Sequence, residues 1–528
     1  MADQSPATKP EPQILETDVP LSRSIIWRLQ RDYYAQRGLE AWSQDLVPSY
    51  ITNNPFIAEI YAGVVAAFIE DCLRQSAGAF SAVAPLRILE LGAGTGKFAY
   101  LFLHKLTPLL REKNIPAQAV RYTMTDCSDP LLARWRANPY LGEFVQSGVL
   151  NFELLSAGEA GNSSSLSENS STSKPAAPLV VIANYVFDSL PQDAFVISHG
   201  EICEALVTAG SPAGAVQSPG GLQLSFKNVS LTAPRYSEPS WNAILEHYRS
   251  SLPAATIFFP SAALTLLQQL SHSSDGRMLV LAADKGFAHE EELSLIKGEP
   301  PLEFHAVDRC FSAQVNLDAM ARYFASTGGE VLLPPKHSTN LNICGFLMRR
   351  SKDEFPAIRR AYHQALTAFG PDDLFTLMSW LHSYLESVSV PQALAVLRLT
   401  RWDPTALLRL FPVIAKQLRN ASAERNDLQQ AVLSTWANHY PVTAADNALA
   451  FSCGVILLEL RFYAEAMAMF KISEQQLGPS ASTSYNLGLC AIGLERPTEA
   501  LTYMTRACEL DPAFEPARSA RARLEAQS

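Results

Sequence analysis

Apolar and polar positions along the chain change their period twice, and those changes divide it. Over residues 25–42 apolar and aromatic residues recur at helical spacing, and Asn54-Pro55 offers a cap and a first-turn proline for a second helix to about residue 68. From residue 87 the pattern becomes short apolar runs: 87–91, 121–125 ending at Asp126, 149–155, 179–183 ending at Asn184, and 278–283 ending at Asp284. Helical spacing returns between them, which predicts strands of a parallel sheet with helices on its faces. Residues 330–333 and 342–349 predict an antiparallel pair at the edge, giving about seven strands in all. Residues 195–275 hold short strand-like pieces and an aromatic helix near 241–248, the place for an inserted substrate region. Beyond about residue 355 only helical spacing remains.

Composition changes this picture at the ends and in one loop. Residues 1 to about 20 are rich in Pro, charge and small polar groups and are expected to be disordered, and the low-complexity Ser/Ala/Gly/Pro segment 157–178 is expected to be a flexible insertion between strands. With 48% hydrophobic residues over 528 positions the chain can bury several cores. No apolar run is long enough to span a bilayer and no signal-peptide core is visible, so a cytoplasmic protein without membrane contact is expected. Eight scattered cysteines, without a C-x-x-C pair or H-E-x-x-H, give no disulfide framework and no metal site. A net charge of −10 without any Lys/Arg-rich run argues against nucleic acid as the partner.

The candidate chemistry concentrates in LRILELGAGTGKFAYLFLH, residues 86–104, where a strand turns through three glycines directly into a helix. Glycine lets the backbone approach a ligand, and the helix start supplies unpaired N–H donors. Gly92, Gly94 and Gly96 are spaced G-x-G-x-G, not G-x-G-x-x-G, and Glu90 stands two residues before the first, which disfavours a dinucleotide. A phosphate loop would need glycine at Leu91 and serine or threonine at Phe98, so ATP is disfavoured as well. The remaining alternative is a turn kept for tight strand–helix packing.

The C-terminal helices repeat. Setting residues 447–480 over 481–514 puts Gly454 over Gly488, Ala466 over Ala500 and Phe470 over Met504, all at an offset of 34 residues, the period of tetratricopeptide repeats, which the segment resembles. A degenerate earlier unit is expected at 372–404, with the helices of 406–436 packing as further units.

The E-x-G-x-G-x-G turn resembles motif I of the class I S-adenosylmethionine (SAM) methyltransferases. Together with Tyr50-Ile51-Thr52-Asn53-Asn54-Pro55, Asp126-Cys127-Ser128, Asn184 to Pro191 (NYVFDSLP), Asp284-Lys285-Gly286 and Phe311 to Asn316, it makes the first two thirds of the chain resemble the MidA-type SAM-dependent methyltransferases, the group that includes mitochondrial complex I assembly methyltransferases. The resemblance implies a Rossmann-like α/β domain over about 21–350, with SAM as cofactor; outside it, the repeats predict an all-α, tetratricopeptide-like domain over about 355–525. Glu90, Gly92, Gly94, Gly96, Asp126 and Asn184 are the candidate cofactor residues, Asp126 for the ribose hydroxyls. Asn184 and Asp188 are the candidate catalytic pair, Asn184 beside the methyl group and Asp188 as the carboxylate that orients or deprotonates a nitrogen acceptor. Capping the turn before Pro191 is the alternative role for Asp188.

Two positions depart from the family pattern. Tyr185 stands where the family has glutamate, and Asn316 where it has aspartate; tyrosine cannot make the paired charge-assisted bonds by which a carboxylate holds a guanidinium. The expected activity is methyl transfer to a protein side chain, arginine among the candidates, with the repeats recruiting the protein. A small-molecule acceptor and a SAM-binding scaffold without turnover are the alternatives. Glu204 resembles a family glutamate but is equally a solvent-facing residue, and His199 and His305 have no partner pattern that marks a base.

Overall fold

The computed structural model describes residues 13–37, 50–75, 80–81, 84–155, 177–211, 218–304, 310–335, 341–367 and 369–526. The chain divides into two compact units, residues 1–53 with 59–372 and residues 54–58 with 373–528. Among the described residues no helix is long and apolar enough to cross a membrane.

In chain order the main elements begin β1 (Gln13–Pro20), α1 (Ile25–Arg37), α2 (Pro55–Gln75), β2 (Leu86–Leu91), α3 (Lys97–Glu112), β3 (Val120–Asp126), α4 (Asp129–Ala137), β4 (Leu150–Leu154) and β5 (Leu179–Asn184). They continue with β6 (Asp193–Ser198), β7 (Glu201–Ser211), β8 (Gln223–Ser230), α5 (Pro239–Ser251), β9 (Ala254–Phe259), α6 (Ser261–His272) and β10 (Met278–Asp284). Last come α7 (Leu317–Ser326), β11 (Glu330–Leu332), β12 (Asn342–Met348) and α8 (Pro356–Leu366).

Seven strands form the main sheet in the order β11-β12-β10-β5-β2-β3-β4. β10, β5, β2, β3 and β4 run parallel, and β12 runs antiparallel to both β10 and β11. β10 is buried along its whole length and β5 through Ala183. That is why they read as unbroken apolar runs: helices cover both faces of a parallel sheet. Each buried Val, Leu or Ile contributes roughly 1.5–3 kcal/mol relative to exposure. The strand order reverses beside β2, so the ends of β2 and β5 open the crevice where ligands of such sheets bind.

A second, antiparallel sheet is built on β7. One side of β7 pairs with β6 at residues 201–204 and then with β1 at 206–211, the other side pairs with β8, and β9 adds to β6. The expectation of disorder through residue 20 is therefore corrected over Gln13–Pro20. That segment has little to bury locally, but it finds backbone partners in β7, some 190 positions on. The corner is fixed by Asp193, which accepts hydrogen bonds from the hydroxyls of Ser22 (2.5 Å), Tyr236 (2.8 Å) and Ser261 (3.0 Å).

α2 starts as its sequence predicts, with the Ile57 N–H donating to Asn54 Oδ1 at 3.1 Å, but it continues to Gln75. α8 belongs to the first unit rather than to the helical region expected from about 355. Buried Asp71 on α2 accepts the N–H groups of Ala357 (2.9 Å) and Ile358 (3.0 Å), Phe68 stacks on Phe355, and the Tyr362 hydroxyl donates to Ile343 O at 2.6 Å. The low-complexity expectation at 157–178 falls almost entirely outside the described residues.

The second unit is helical. Ala448–Glu459 with Tyr463–Leu477, and Ala481–Gly493 with Pro497–Leu510, form successive helix pairs at the spacing read from the sequence. Gly454 and Gly488 are where the helices of each pair press together: a Cβ would stand 2.7 Å from the Phe470 ring in the first and 2.7 Å from Met504 Cε in the second.

Candidate functional site

β2 leads into a turn that only glycine accommodates without strain, with φ of +62° at Gly92, +52° at Gly94 and +80° at Gly96, where α3 begins. Neighbouring elements pin this turn. The Ala93 N–H donates to Thr125 O (2.9 Å), the Gly94 N–H to Asp126 Oδ2 (3.1 Å), Trp135 Nε1–H to Gly94 O (2.9 Å), and the Thr125 hydroxyl to Glu90 O (2.7 Å). Gly92, at the exposed apex, approaches the turn after β5 so closely that a Cβ would lie 3.3 Å from Val186 Cγ2.

Two acids end the strands here. Asp126 is buried and burial raises its carboxyl, while the backbone N–H groups of Gly94, Cys127 and Ser128 pull it down. Glu90 is buried beside Tyr122, and its Oε2 has no hydrogen-bond partner. Burial pushes it up to about 8, the Tyr122 hydroxyl opposes the shift and Asp126 adds to it, so Glu90 is mostly protonated at neutral pH.

The second half of the site follows β5. The Tyr61 hydroxyl, reaching over from α2, donates to Asn184 Oδ1 at 2.9 Å and fixes the carboxamide. Tyr185 has φ +54°, a conformation costly for a non-glycine residue, and its N–H donates to Ala283 O at 2.8 Å. The chain then makes a single 3-10 turn, Phe187–Ser189, held by the Phe187 N–H donating to Asp284 Oδ2 at 3.1 Å. Burial pushes Asp188 up to about 6 against the pull of Lys285. Asp284, fully buried at the end of β10, is raised well above the carboxylate range by burial and by Asp188, and its Oδ1 has no partner. Burial likewise raises the Tyr185 phenol, with Asp284, Asp188 and Asp372 adding their negative charge.

The structure thus brings Glu90, Gly92, Gly94, Gly96, Asp126, Asn184 and Asp188 to one edge, at the C-terminal ends of three adjacent strands. Other candidates lie elsewhere. Asn316 caps α7, its Oδ1 accepting from the Ala319 N–H at 2.9 Å. Glu204 is not solvent-facing: it is buried on β7 and paired with Arg235 at 2.9 Å. His199 sits exposed in the β6–β7 turn, and His305 lies outside the described residues. Among the described residues no group of three or more His, Cys, Asp or Glu could hold a metal. Sequence reading did not single out Tyr61, Trp135 and Asp284 as site residues. Asp284 carried a usable signal, an acid ending a strand as Glu90 and Asp126 do; Tyr61 and Trp135 carried none.

Residues 64–299 match the model of a family described as "Putative S-adenosyl-L-methionine-dependent methyltransferase". Over those residues, less than half of its length, the chain is similar to this methyltransferase family. Two crystal structures of superfamily members from Burkholderia thailandensis are similar to it at 16% and 14% identity, each over 64% of this chain, covering 89% and 90% of theirs, with a TM-score of 0.40 for each; the second was crystallised with S-adenosyl-homocysteine. The citrinin polyketide synthases of Monascus ruber and Monascus purpureus are 44% identical over 69 residues, which is 13% of this chain and only 2% of the length of those synthases.

The family description names S-adenosyl-L-methionine, and the turn has a shape that suits such a group. The positive-φ glycines keep side chains off the apex, and α3 begins directly after Gly96.

Proposed function

We propose that the chain transfers a methyl group to a nitrogen of a protein side chain, with the helical unit, as tetratricopeptide-like repeats, recruiting the protein that carries it. The observation that carries this reading is the placement of Asp188 and Asp372 near Tyr185 beside the glycine turn. Such surroundings attract a cation and repel a carboxylate acceptor.

SAM supplies an electrophilic methyl on a sulfonium. The chain's own residues then have three tasks. Asn184, oriented by Tyr61, positions the acceptor; the walls of the crevice exclude water; and Asp188, ionised at neutral pH, accepts the proton that an ammonium must lose before its lone pair can attack. Tyr185 in place of the family glutamate removes one arm of a paired carboxylate grip, so an amine nitrogen suits the site better than the arginine nitrogen of the family resemblance.

The test supplies SAM with a labelled methyl to the purified protein and fractions of a cell lysate, followed by acid hydrolysis of labelled protein. The reading expects label on an amine-bearing amino acid and a loss of 10-fold or more with Asp188→Asn. Label confined to small molecules would give the smaller-acceptor alternative, and binding of SAM without S-adenosyl-homocysteine formed in any fraction would leave a scaffold.

A further inference from the structure

Asp284 has no role in the proposed function, yet its placement is unusual. It ends β10 and is paired in register beside the last residues of β5, with Ala283 opposite Asn184. Its Oδ2 accepts the Phe187 N–H at 3.1 Å, and the N–H groups of Val186 and Asp188 also point to its carboxyl. One buried side chain therefore gathers the backbone of the turn that carries Tyr185 and Asp188. Its other oxygen, Oδ1, is fully buried and has no hydrogen-bond partner.

The carboxyl of Asp188 also acts electrostatically on Asp284. The titratable groups that bear on the pair are few: Tyr61 from α2, Tyr185 and Asp188 from the turn, Cys344 from β12, and Lys285 and Glu303, which act on Asp188. Lys285, the cation among them, favours ionised Asp188.

We propose that Asp284 is the positioning residue of the acceptor side: its carboxyl clamps the Val186–Asp188 turn and so holds Asp188 facing the methyl group. This rests on the nitrogen-acceptor reading above only for the direction in which Asp188 faces. It requires no protein substrate to be known.

The test uses two cofactor analogues on the full chain by calorimetry at neutral pH. S-adenosyl-homocysteine carries nothing at the methyl position, whereas sinefungin places an ammonium there, so the ratio of their affinities reads the charge at the acceptor side. Wild type should prefer sinefungin about 10-fold or more, and Asp188→Asn should abolish the preference while keeping S-adenosyl-homocysteine affinity. Asp284→Asn, a neutral isostere whose carboxamide oxygen can still accept the Phe187 N–H, should keep the preference within about 3-fold; Asp284→Ala should lose it. Equal loss in the Asn and Ala variants would mean that Asp284 acts through charge and would overturn the proposal, as would an Ala variant that behaves like wild type. Should Asp284→Ala fail to fold, Asp284→Ser supplies the truncated side chain. Failure of wild type to bind S-adenosyl-homocysteine would strike the cofactor site itself, and unchanged preference in Asp188→Asn would strike the nitrogen-acceptor reading, so each failure is separately visible.

Discussion

The turn after β2 and the turn after β5 lie side by side at the same edge of the sheet, and they are held in opposite ways. The first uses glycine to reach positive φ without strain and is fastened by hydrogen bonds to backbone atoms, Asp126 and Trp135. The second puts a tyrosine at φ +54° and is fastened to β10 by the buried acid Asp284 and by the Tyr185 N–H donating to Ala283 O. The first can therefore present bare backbone to a ligand that does not change, while the second holds side chains whose charge is set by their neighbours. The contrast suits a constant cofactor on one side and a particular acceptor on the other.

Gly94→Asp is the severest way to break the contrast. It places a side chain at φ +52° and a charge beside Asp126, and calorimetry should show SAM affinity down by 100-fold or more. Asp126→Ala removes both the ribose acceptor and the partner of the Gly94 N–H, and about 10-fold to 100-fold of affinity should go with them, in line with roughly 1.5–3 kcal/mol for a bond to a charged group.

The third test is on the acceptor side and is read by pH. The carboxyl of Asp188 is raised in the folded chain, so the folded state binds a proton there more tightly than the unfolded state does. The associated stability is present below the ordinary carboxylate range and is lost as pH rises through about 6. Asp188→Asn should accordingly melt no higher than wild type near pH 4 and higher than wild type above pH 6.5, and thermal scans across that window check it. A gap that opened in the opposite direction would mean that Asp188 is stabilised as an anion. The smallest effect is expected of Trp135→Phe, which removes a single donor to Gly94 O and should weaken SAM binding about 3-fold to 5-fold, roughly 0.5–1 kcal/mol.

The same contrast explains what could be read from the chain. Residues 86–97 are legible because strand, turn and helix are contiguous and each glycine answers a local need. The parallel strands are legible because burial on both faces leaves unbroken apolar runs. The turn after β5 is only half legible: Asn184 and Asp188 are in the local pattern, but what Asp188 does depends on Asp284, almost a hundred residues on. Tyr61 and Trp135 are an ordinary helix tyrosine and tryptophan until α2 and α4 are in place. β1 was misread for the same reason, since its pairing is wholly non-local, and Glu204 because its partner Arg235 is not on its own strand.

That non-local pairing has a temporal side. During synthesis β1 leaves the ribosome well before β7 exists, and at about 5–20 residues per second the wait is roughly 10–40 s. Through that interval the segment has no sheet to join, so the second sheet is completed late and by a strand made early.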